Sequence, residues 1–363
     1  MEEKLQDIVE PLLLWFDNNA RVLPWRDMPT PYRVWVSEIM LQQTRVEAVK
    51  PFFKRFTEAL PDVKALAECE EDRLLKLWEG LGYYNRVRNM QIAARTVMEA
   101  YGGILPADYE KLKSLKGIGS YTAGAVASIA YGIAVPAVDG NVLRVISRVT
   151  ENREDILKES VKRKVEQDLQ AIMPQDRPGA FNQALMELGA MVCVPNGPAK
   201  CDICPLRHLC LAYQHDTMGE LPVKAAKKAR RIEKRTVLII SDGEKVAIHK
   251  RPARGLLAGL YELPNVIGHL SPEEALEYLK GKQYAPIRIQ RLTEAKHIFS
   301  HIEWQMIGYA VRIEEPENST EEYLFVEPEK TQENYPIPAA FAAYANYLSI
   351  RLGQEKYEGE EEL

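Results

Sequence analysis

The sequence predicts a mostly α-helical N-terminal region joined to an α+β C-terminal domain. Three observations carry this. Apolar residues recur at helical spacing along the chain as far as about residue 212. A basic stretch after Pro222 then interrupts the pattern, with seven basic residues and one acid between Lys224 and Arg235. Beyond it, strand-like runs take over, with one clear helical segment among them.

The elements follow in order. Between Tyr32 and Phe56, the residues Val36, Ile39, Met40, Val46, Val49, Phe53 and Phe56 keep helical spacing, and Pro51 predicts that this helix ends or bends there. Glu71 to Trp78, Met90 to Tyr101, Tyr121 to Tyr131, Asn141 to Val149 and Phe181 to Val192 read as further helices. The run from Lys224 to Arg235 reads as a linker or basic arm. TVLIIS, a turn at Asp242-Gly243, and KVAIHKR then make a hairpin. Ser271-Pro272-Glu273-Glu274 is a capping box with proline at the first helical position, opening a helix to about Lys280. The stretch IRIQRLTEAKHIFSHIEWQMIGYAVRI reads as several strands. No internal repeat is evident.

Bulk properties bound the function. The 363 residues, 46% hydrophobic and 27% charged, suffice for two or three packed domains. No run approaches the ~20 apolar residues of a membrane span. The start, MEEKLQDIVE, lacks the basic and apolar regions of a secretory signal. A soluble, cytoplasmic protein is expected. The net charge of −5 does not favour nucleic acid, but it averages over local patches and includes an acidic tail from Glu355 to Leu363.

Four of the five cysteines, Cys193, Cys201, Cys204 and Cys210, fall in one segment with spacing C-x7-C-x2-C-x5-C. Four thiolates so spaced can converge on an iron–sulfur cluster or a structural zinc, and spacing alone does not choose between them. Cys69 has no companion and reads as a small core residue. LKGIGSYTA (115–123) holds two glycines, Gly117 and Gly119, in a tight turn before a helix, which can bring backbone N–H groups to a phosphate. Twenty residues beyond Gly119 stands Asp139, in VDGNV. Alone, an Asp-Gly before a helix is a cap. Alone, Glu38 in WVSEIMLQQT is an exposed acid on an apolar helix.

Taken together, these segments resemble the helix-hairpin-helix DNA glycosylases, and within them the MutY type. WVSEIMLQQT, LGYYNRVRN, LKGIGSYTAGAV with VDGN, and the cysteine loop occur in family order across roughly residues 5 to 350. The family loop runs C-x6-C-x2-C-x5-C, so the first gap here is one residue longer. The resemblance implies one [4Fe–4S] cluster on Cys193, Cys201, Cys204 and Cys210, and no catalytic metal. It implies Glu38 as the acid, Asp139 as stabiliser or nucleophile at C1′, and Tyr121 and Asn141 as their supports. Tyr121 stands where endonuclease III-type relatives carry the lysine of Schiff-base chemistry, which implies a monofunctional enzyme.

The same resemblance places Trp25, Arg26 and Gln183 around the adenine. It places Gln42, Gln43, Leu81 and Tyr83 at the opposite base and the vacated stack, and Arg86, Arg88, Gly117 and Gly119 along the DNA. The C-terminal domain resembles the Nudix-like recognition domain of the family, with Phe299, Ser300 and His301 in its F-S-H loop around 8-oxoguanine. Two helical lobes are implied, 29–132 with the hairpin and 1–28 plus 133–212 with the cluster. A basic linker (213–235), the Nudix-like domain (236–350) and the acidic tail (351–363) follow. The implied partner is double-stranded DNA bearing 8-oxoguanine:adenine mispairs, bound by a monomer. Three rivals stand: a bifunctional glycosylase/lyase, a non-catalytic lesion-binding iron–sulfur protein, and a Nudix hydrolase. The last is disfavoured because SPEEALEYLKGK lacks the R-E-x-x-E-E pattern.

Overall fold

The computed structural model describes residues 5–226, 229–315, 322–350 and 352. The acidic tail lies outside these, apart from Leu352. The chain divides into two compact units. Met1–Glu68 and Arg88–Lys227 make the first, Cys69–Val87 and Lys228–Leu363 the second.

The first unit is helical. Its helices are α1 (Val9–Asn19), α2 (Pro31–Leu41), α3 (Val46–Ala59) and α4 (Val63–Glu68). After α5 (Glu71–Leu77), which belongs to the second unit, come α6 (Asn85–Tyr101), α7 (Tyr109–Ser114) and α8 (Ser120–Ala125). The last runs on as a π-helical turn over Val126–Ala130. Then follow α9 (Gly140–Val149), α10 (Glu159–Ile172), α11 (Pro178–Met191) and α12 (Leu211–Gln214). Thr30 caps α2 by accepting the Arg33 amide at 3.3 Å, with Pro31 at the first helical position. Every residue of α2 from Val34 to Met40 is buried, and this carries Glu38 into the interior.

The helix break expected at Pro51 falls earlier. Helix α2 ends at Leu41, Gln43 adopts a φ of 61°, and α3 runs from Val46 through Pro51 to Ala59. At the sixth position of α3, Pro51 gives up the bond its N–H would make to the Glu47 carbonyl, and the helix absorbs this cost. Buried Val49, Phe52, Phe53 and Phe56 keep α3 continuous.

A single core joins the N-terminal helix to the later ones. Leu5, Ile8 and Leu12 pack with Val142 and Ile146 of α9, Leu169 of α10, Phe181 and Leu188 of α11, and Leu206 of the cysteine loop. Gly189 permits the approach of α11 to α9, because a Cβ there would stand 2.6 Å from the Cβ of Asn141.

The second unit is built on a seven-stranded mixed sheet, in order β3-β2-β1-β6-β5, with β4 on β1 and β7 on β2. The strands are β1 (Arg231–Ser241), β2 (Val246–Lys250), β3 (Tyr261–Glu262), β4 (Asn265–Ile267), β5 (Pro286–Ile298), β6 (Ile302–Ile313) and β7 (Leu324–Val326). Strands β1 and β6 are parallel, with Arg231 opposite Ile302 and Ser241 opposite Arg312. Both faces of β1 are covered. Val237 and Ile239 join one core with Trp304, Ile337 and Phe341, whereas Leu238 and Ile240 join another with Ala275 and Leu279 of α13 (Pro272–Gly281). This explains the unbroken apolar run VLII in a two-sided strand. The capping box of α13 forms as read from Ser271 and Glu274. Arg231–Arg235, read as the end of a basic linker, instead lies in β1, paired along β6. Pairing with β6 there outweighs the charge of the run. Helix α14 (Pro328–Asn334) and a short α15 (Ala342–Ala345) complete the unit. Among the described residues no helix is long and apolar enough to cross a membrane.

Candidate active site

Within the first unit a cavity of about 560 Å³ opens between α2, α8, α9 and α11. Glu38, Tyr121, Asp139 and Asn141 line it, as do Trp25, Arg26, Gln42, Gln43 and Gln183. The fold thus gathers nine of the residues singled out in the sequence around one space.

Glu38 is only 5% exposed. Burial pushes its carboxyl up to about 7; the Tyr121 hydroxyl bond and the Arg26 charge pull the other way, and Asp139 adds to the rise. The Tyr121 hydroxyl donates to Glu38 Oε2 and also lies 3.7 Å from Met186 Sδ. Burial likewise raises the Tyr121 phenol, reinforced by Glu38 and Asp139, so it stays protonated.

Asp139 is the N-cap of α9. Its Oδ1 accepts the Asn141 amide at 2.9 Å and the Val142 amide at 2.8 Å. Its Oδ2 accepts Asn141 Nδ2 at 2.8 Å. Burial raises its pKa, and these donors, with Arg144, hold the rise down. The capping reading of Asp139 and the catalytic one are therefore compatible, because capping leaves the carboxylate on the cavity wall.

Asn141 is fixed in turn, its Oδ1 accepting Arg144 Nη2 at 2.8 Å. Arg144 is 4% exposed and also donates to Gly189 O at 2.7 Å and to Cys193 O at 2.8 Å. Sequence reading missed Arg144. A signal existed: Arg144 and Arg148 stand four apart on the largely apolar helix VLRVISRV.

Glu187 was missed as well. It is 2% exposed and takes Arg21 through Nε at 2.7 Å and Nη2 at 2.9 Å, with Arg26 Nη2 at 3.3 Å. Burial acts to raise it, but the bonds and charges of Arg21 and Arg26 outweigh burial and leave its pKa lowered. Arg26 is oriented further by Gln183 Oε1 at 2.9 Å and the Arg21 carbonyl at 2.9 Å. Trp25 meets Phe53 edge to face at 5.5 Å. One cavity thus holds an ionised carboxylate, Glu187, and a carboxyl poised near neutrality, Glu38.

Gly117 has a φ of 80°, and a Cβ on it would stand 2.7 Å from the Cβ of Asn89, so this position requires glycine. Gly119 is the N-cap of α8, with open space beside it. Gln43 is exposed in a left-handed conformation, which L-residues adopt at a cost of order 1–3 kcal/mol. Arg88 lies half-buried on α6.

In the second unit Leu81 is 5% exposed, whereas Tyr83 is 49% exposed with a φ of 49°. The Tyr83 hydroxyl lies 3.3 Å from Ser300 Oγ. Ser300 and His301 are exposed at the β5–β6 turn, and Phe299 beside them packs on Trp304 at 4.9 Å. Arg86 turns inward, donating to the Leu81 and Gly82 carbonyls at 2.9 and 3.1 Å and lying over the Trp78 ring.

Cys193, Cys201, Cys204 and Cys210 line one small cavity, walled by Val145, Val149, Leu188 and Leu206. Arg148 Nη1 donates to Cys193 Sγ at 3.2 Å. Among the described residues no group of three or more His, Cys, Asp or Glu is arranged to hold a metal ion. Cys69, 9% exposed, lies in the second unit.

Residues 36–174 match the HhH-GPD superfamily of base excision DNA repair proteins, and residues 235–347 match the NUDIX domain family. The adenine DNA glycosylase of Mus musculus is 36% identical over 85% of this chain and 71% of its own length. That of Homo sapiens is 34% identical over 95% of this chain and 74% of its own. The enzyme of Buchnera aphidicola subsp. Acyrthosiphon pisum is 34% identical over 80% and 82%. A thermostable thymine-DNA glycosylase superposes with a TM-score of 0.52 at 28% identity, covering 59% of this chain and 98% of its own. Endonuclease III in a non-covalent DNA complex gives 0.52 at 25% identity, covering 60% and 98%. With a helix-hairpin-helix unit, a NUDIX unit and this level of identity across most of its length, the chain belongs to the adenine DNA glycosylases.

Proposed function

We propose that the chain removes adenine mispaired with 8-oxoguanine, by hydrolysis and without cleaving the strand. The observation that carries the reading is the pairing in one cavity of Glu38, with its pKa near 7, and Asp139, anchored at a helix start. Chemistry on a base in duplex DNA needs that base extruded into a pocket, and 560 Å³ accommodates a purine nucleoside.

The neutral Glu38 carboxyl donates its proton to adenine N7. The C1′–N9 bond then breaks, its electrons pass to the purine, and the sugar becomes an oxocarbenium ion. Asp139 faces this cation as a carboxylate, stabilising it or bonding to C1′. Water adds at C1′ and returns its proton to Glu38. Tyr121 holds the Glu38 carboxyl throughout. A phenol forms no imine with the sugar aldehyde, which supports hydrolysis without a lyase step. Arg26 and Gln183 offer hydrogen bonds to the adenine edge. Tyr83, Ser300 and His301 form the surface offered to the opposite base.

Cys193, Cys201, Cys204 and Cys210 would hold a [4Fe–4S] cluster. They share one apolar-walled cavity, and the Arg148 guanidinium donating to Cys193 Sγ supplies a cation beside them, which fits a buried thiolate-bound cluster. When bound, the cluster supplies a covalent tie across the loop, and Arg148 offsets its thiolate charge. Elemental analysis should return iron and sulfide; stoichiometric zinc instead would refute this part.

Single-turnover base release on 8-oxoguanine:A, G:A and T:A duplexes tests the function. Free adenine should appear fastest from 8-oxoguanine:A and not from T:A, and the product should nick only after added base. Nicking without base would support the bifunctional rival, and no adenine release would support the binding-only one.

A further inference from the structure

We infer that Glu79 is a positioning residue that registers the Tyr83 turn against the Ser300 loop, and so sets the preference for 8-oxoguanine over guanine. This rests on the lesion-reading role proposed above.

The turn between α5 and α6 is conformationally demanding. Gly80, Gly82 and Tyr83 have φ values of 100°, 66° and 49°. Only the first two are glycines, so Tyr83 needs its surroundings to hold it. Support from within comes from Trp78 Nε1, which donates to Gly82 O at 3.0 Å, and from Arg86 on the Leu81 and Gly82 carbonyls.

Support from the sheet side comes through Glu79, which is 1% exposed. Its Oε1 accepts the Ile337 amide at 2.9 Å, and its Oε2 pairs with Lys76 Nζ at 2.9 Å. Lys76 Nζ also donates to Tyr335 O at 2.9 Å. The carboxylate and ammonium are thus stitched to the backbone of 335–337, beside a fully buried Ile337 in the sheet core.

A buried ion pair adds little net stability over apolar packing, and its best-attested use is to fix register. Here the register fixed is that of the Tyr83 turn on the domain carrying Ser300. Its outcome is the 3.3 Å approach of the Tyr83 hydroxyl to Ser300 Oγ.

Three variants test this: Glu79→Ala, Glu79→Gln and Lys76→Met. Base release is followed under single turnover against enzyme concentration, on 8-oxoguanine:A and G:A duplexes. That separates half-saturation from the saturated rate. In Glu79→Ala the 8-oxoguanine preference in half-saturation should fall about tenfold, the factor for roughly one lost hydrogen bond. The saturated rate should change far less. Glu79→Gln keeps an acceptor for the Ile337 amide and should recover part of the preference. Lys76→Met leaves the carboxylate but loses the Tyr335 tie, and decides the matter if Glu79→Ala does not fold. Folded variants that keep the full preference, or lose saturated rate instead, would overturn the inference. A wild-type enzyme without preference would overturn the lesion-reading role itself.

Discussion

The proposed catalytic cavity and the proposed lesion-reading surface face opposite physical problems. As the proposed acid, Glu38 would hold a proton near neutral pH, and the first unit buries it and bonds it to Tyr121. Tyr83, Ser300 and His301, proposed to reach a base from outside, are exposed on the second unit. In the cavity, precision comes from desolvation and hydrogen-bond chains. At the surface it comes from backbone strain, held by buried groups beneath. Losses in the cavity should therefore appear in the rate, and losses at the surface in affinity and discrimination.

The sharpest break of this contrast is Glu38→Gln. Removing a general acid costs about 10²–10⁴-fold in rate, so base release should drop by at least that factor while duplex binding persists. In the wild-type enzyme the saturated rate should fall as pH rises through about 7, where the acid loses its proton. Stability carries the same signature. The native carboxyl keeps its proton up to about 7, and the unfolded one only to its ordinary value of 4.5. Between these values the native state binds more protons, so stability declines with rising pH, by about 3 kcal/mol in all for a shift of this size. Glu38→Gln should abolish that decline. Denaturant unfolding at pH 5 and pH 8 measures it. An unchanged pH dependence, or near wild-type release, would show that Glu38 is not the acid.

Asp139 separates catalysis from capping in one residue. Asp139→Asn keeps a side-chain oxygen for the Asn141 and Val142 amides but loses the charge facing the sugar. It should lose about 10²-fold in rate, with a stability loss of about 1 kcal/mol because its amide nitrogen meets the Asn141 Nδ2 donor. Asp139→Ala should lose as much rate and about 1 kcal/mol of stability besides. If the asparagine variant kept its rate, Asp139 would be a cap alone.

The two regions also differed in how much the sequence disclosed. Glu38 and Asp139 sit in motifs dense enough to identify, although periodicity alone would have left one on a solvated face and the other as a cap. The capping box at Ser271 and the hairpin turning at Asp242-Gly243 follow from local rules, and both formed. Local rules do not reach the partners. The Glu187 bonds to Arg21 and Arg26, and the Arg144 bonds to Gly189 and Cys193, span 45 to 166 residues, which no window of a single sequence contains. Pro51 misled because proline breaks helices by rule, whereas here the burial of Val49, Phe52, Phe53 and Phe56 outweighs the one bond it forgoes. The helix read over Glu71 to Trp78 counted as one more of the N-terminal region, yet it packs with the C-terminal unit. Only tertiary contacts such as Glu79 with Ile337 and Asp72 with Lys250 reveal that allegiance.

The smallest effect is the most diagnostic of the surface. In the free protein the Ser300 hydroxyl lies within hydrogen-bonding distance of Tyr83, so contact with a lesion exchanges one partner for another. An exchange is worth far less than a bond gained outright. Ser300→Ala should therefore weaken half-saturation on 8-oxoguanine:A by only about threefold, with no effect on G:A and none on the saturated rate. Tyr83→Phe removes the other hydroxyl and should act similarly. If the two work as a pair, the double variant should be no worse than the weaker single one, because the second substitution removes a group already deprived of its partner. Fully additive losses would mean that each hydroxyl meets the DNA separately, and a loss in saturated rate would place the Ser300 loop with the chemistry instead of the reading.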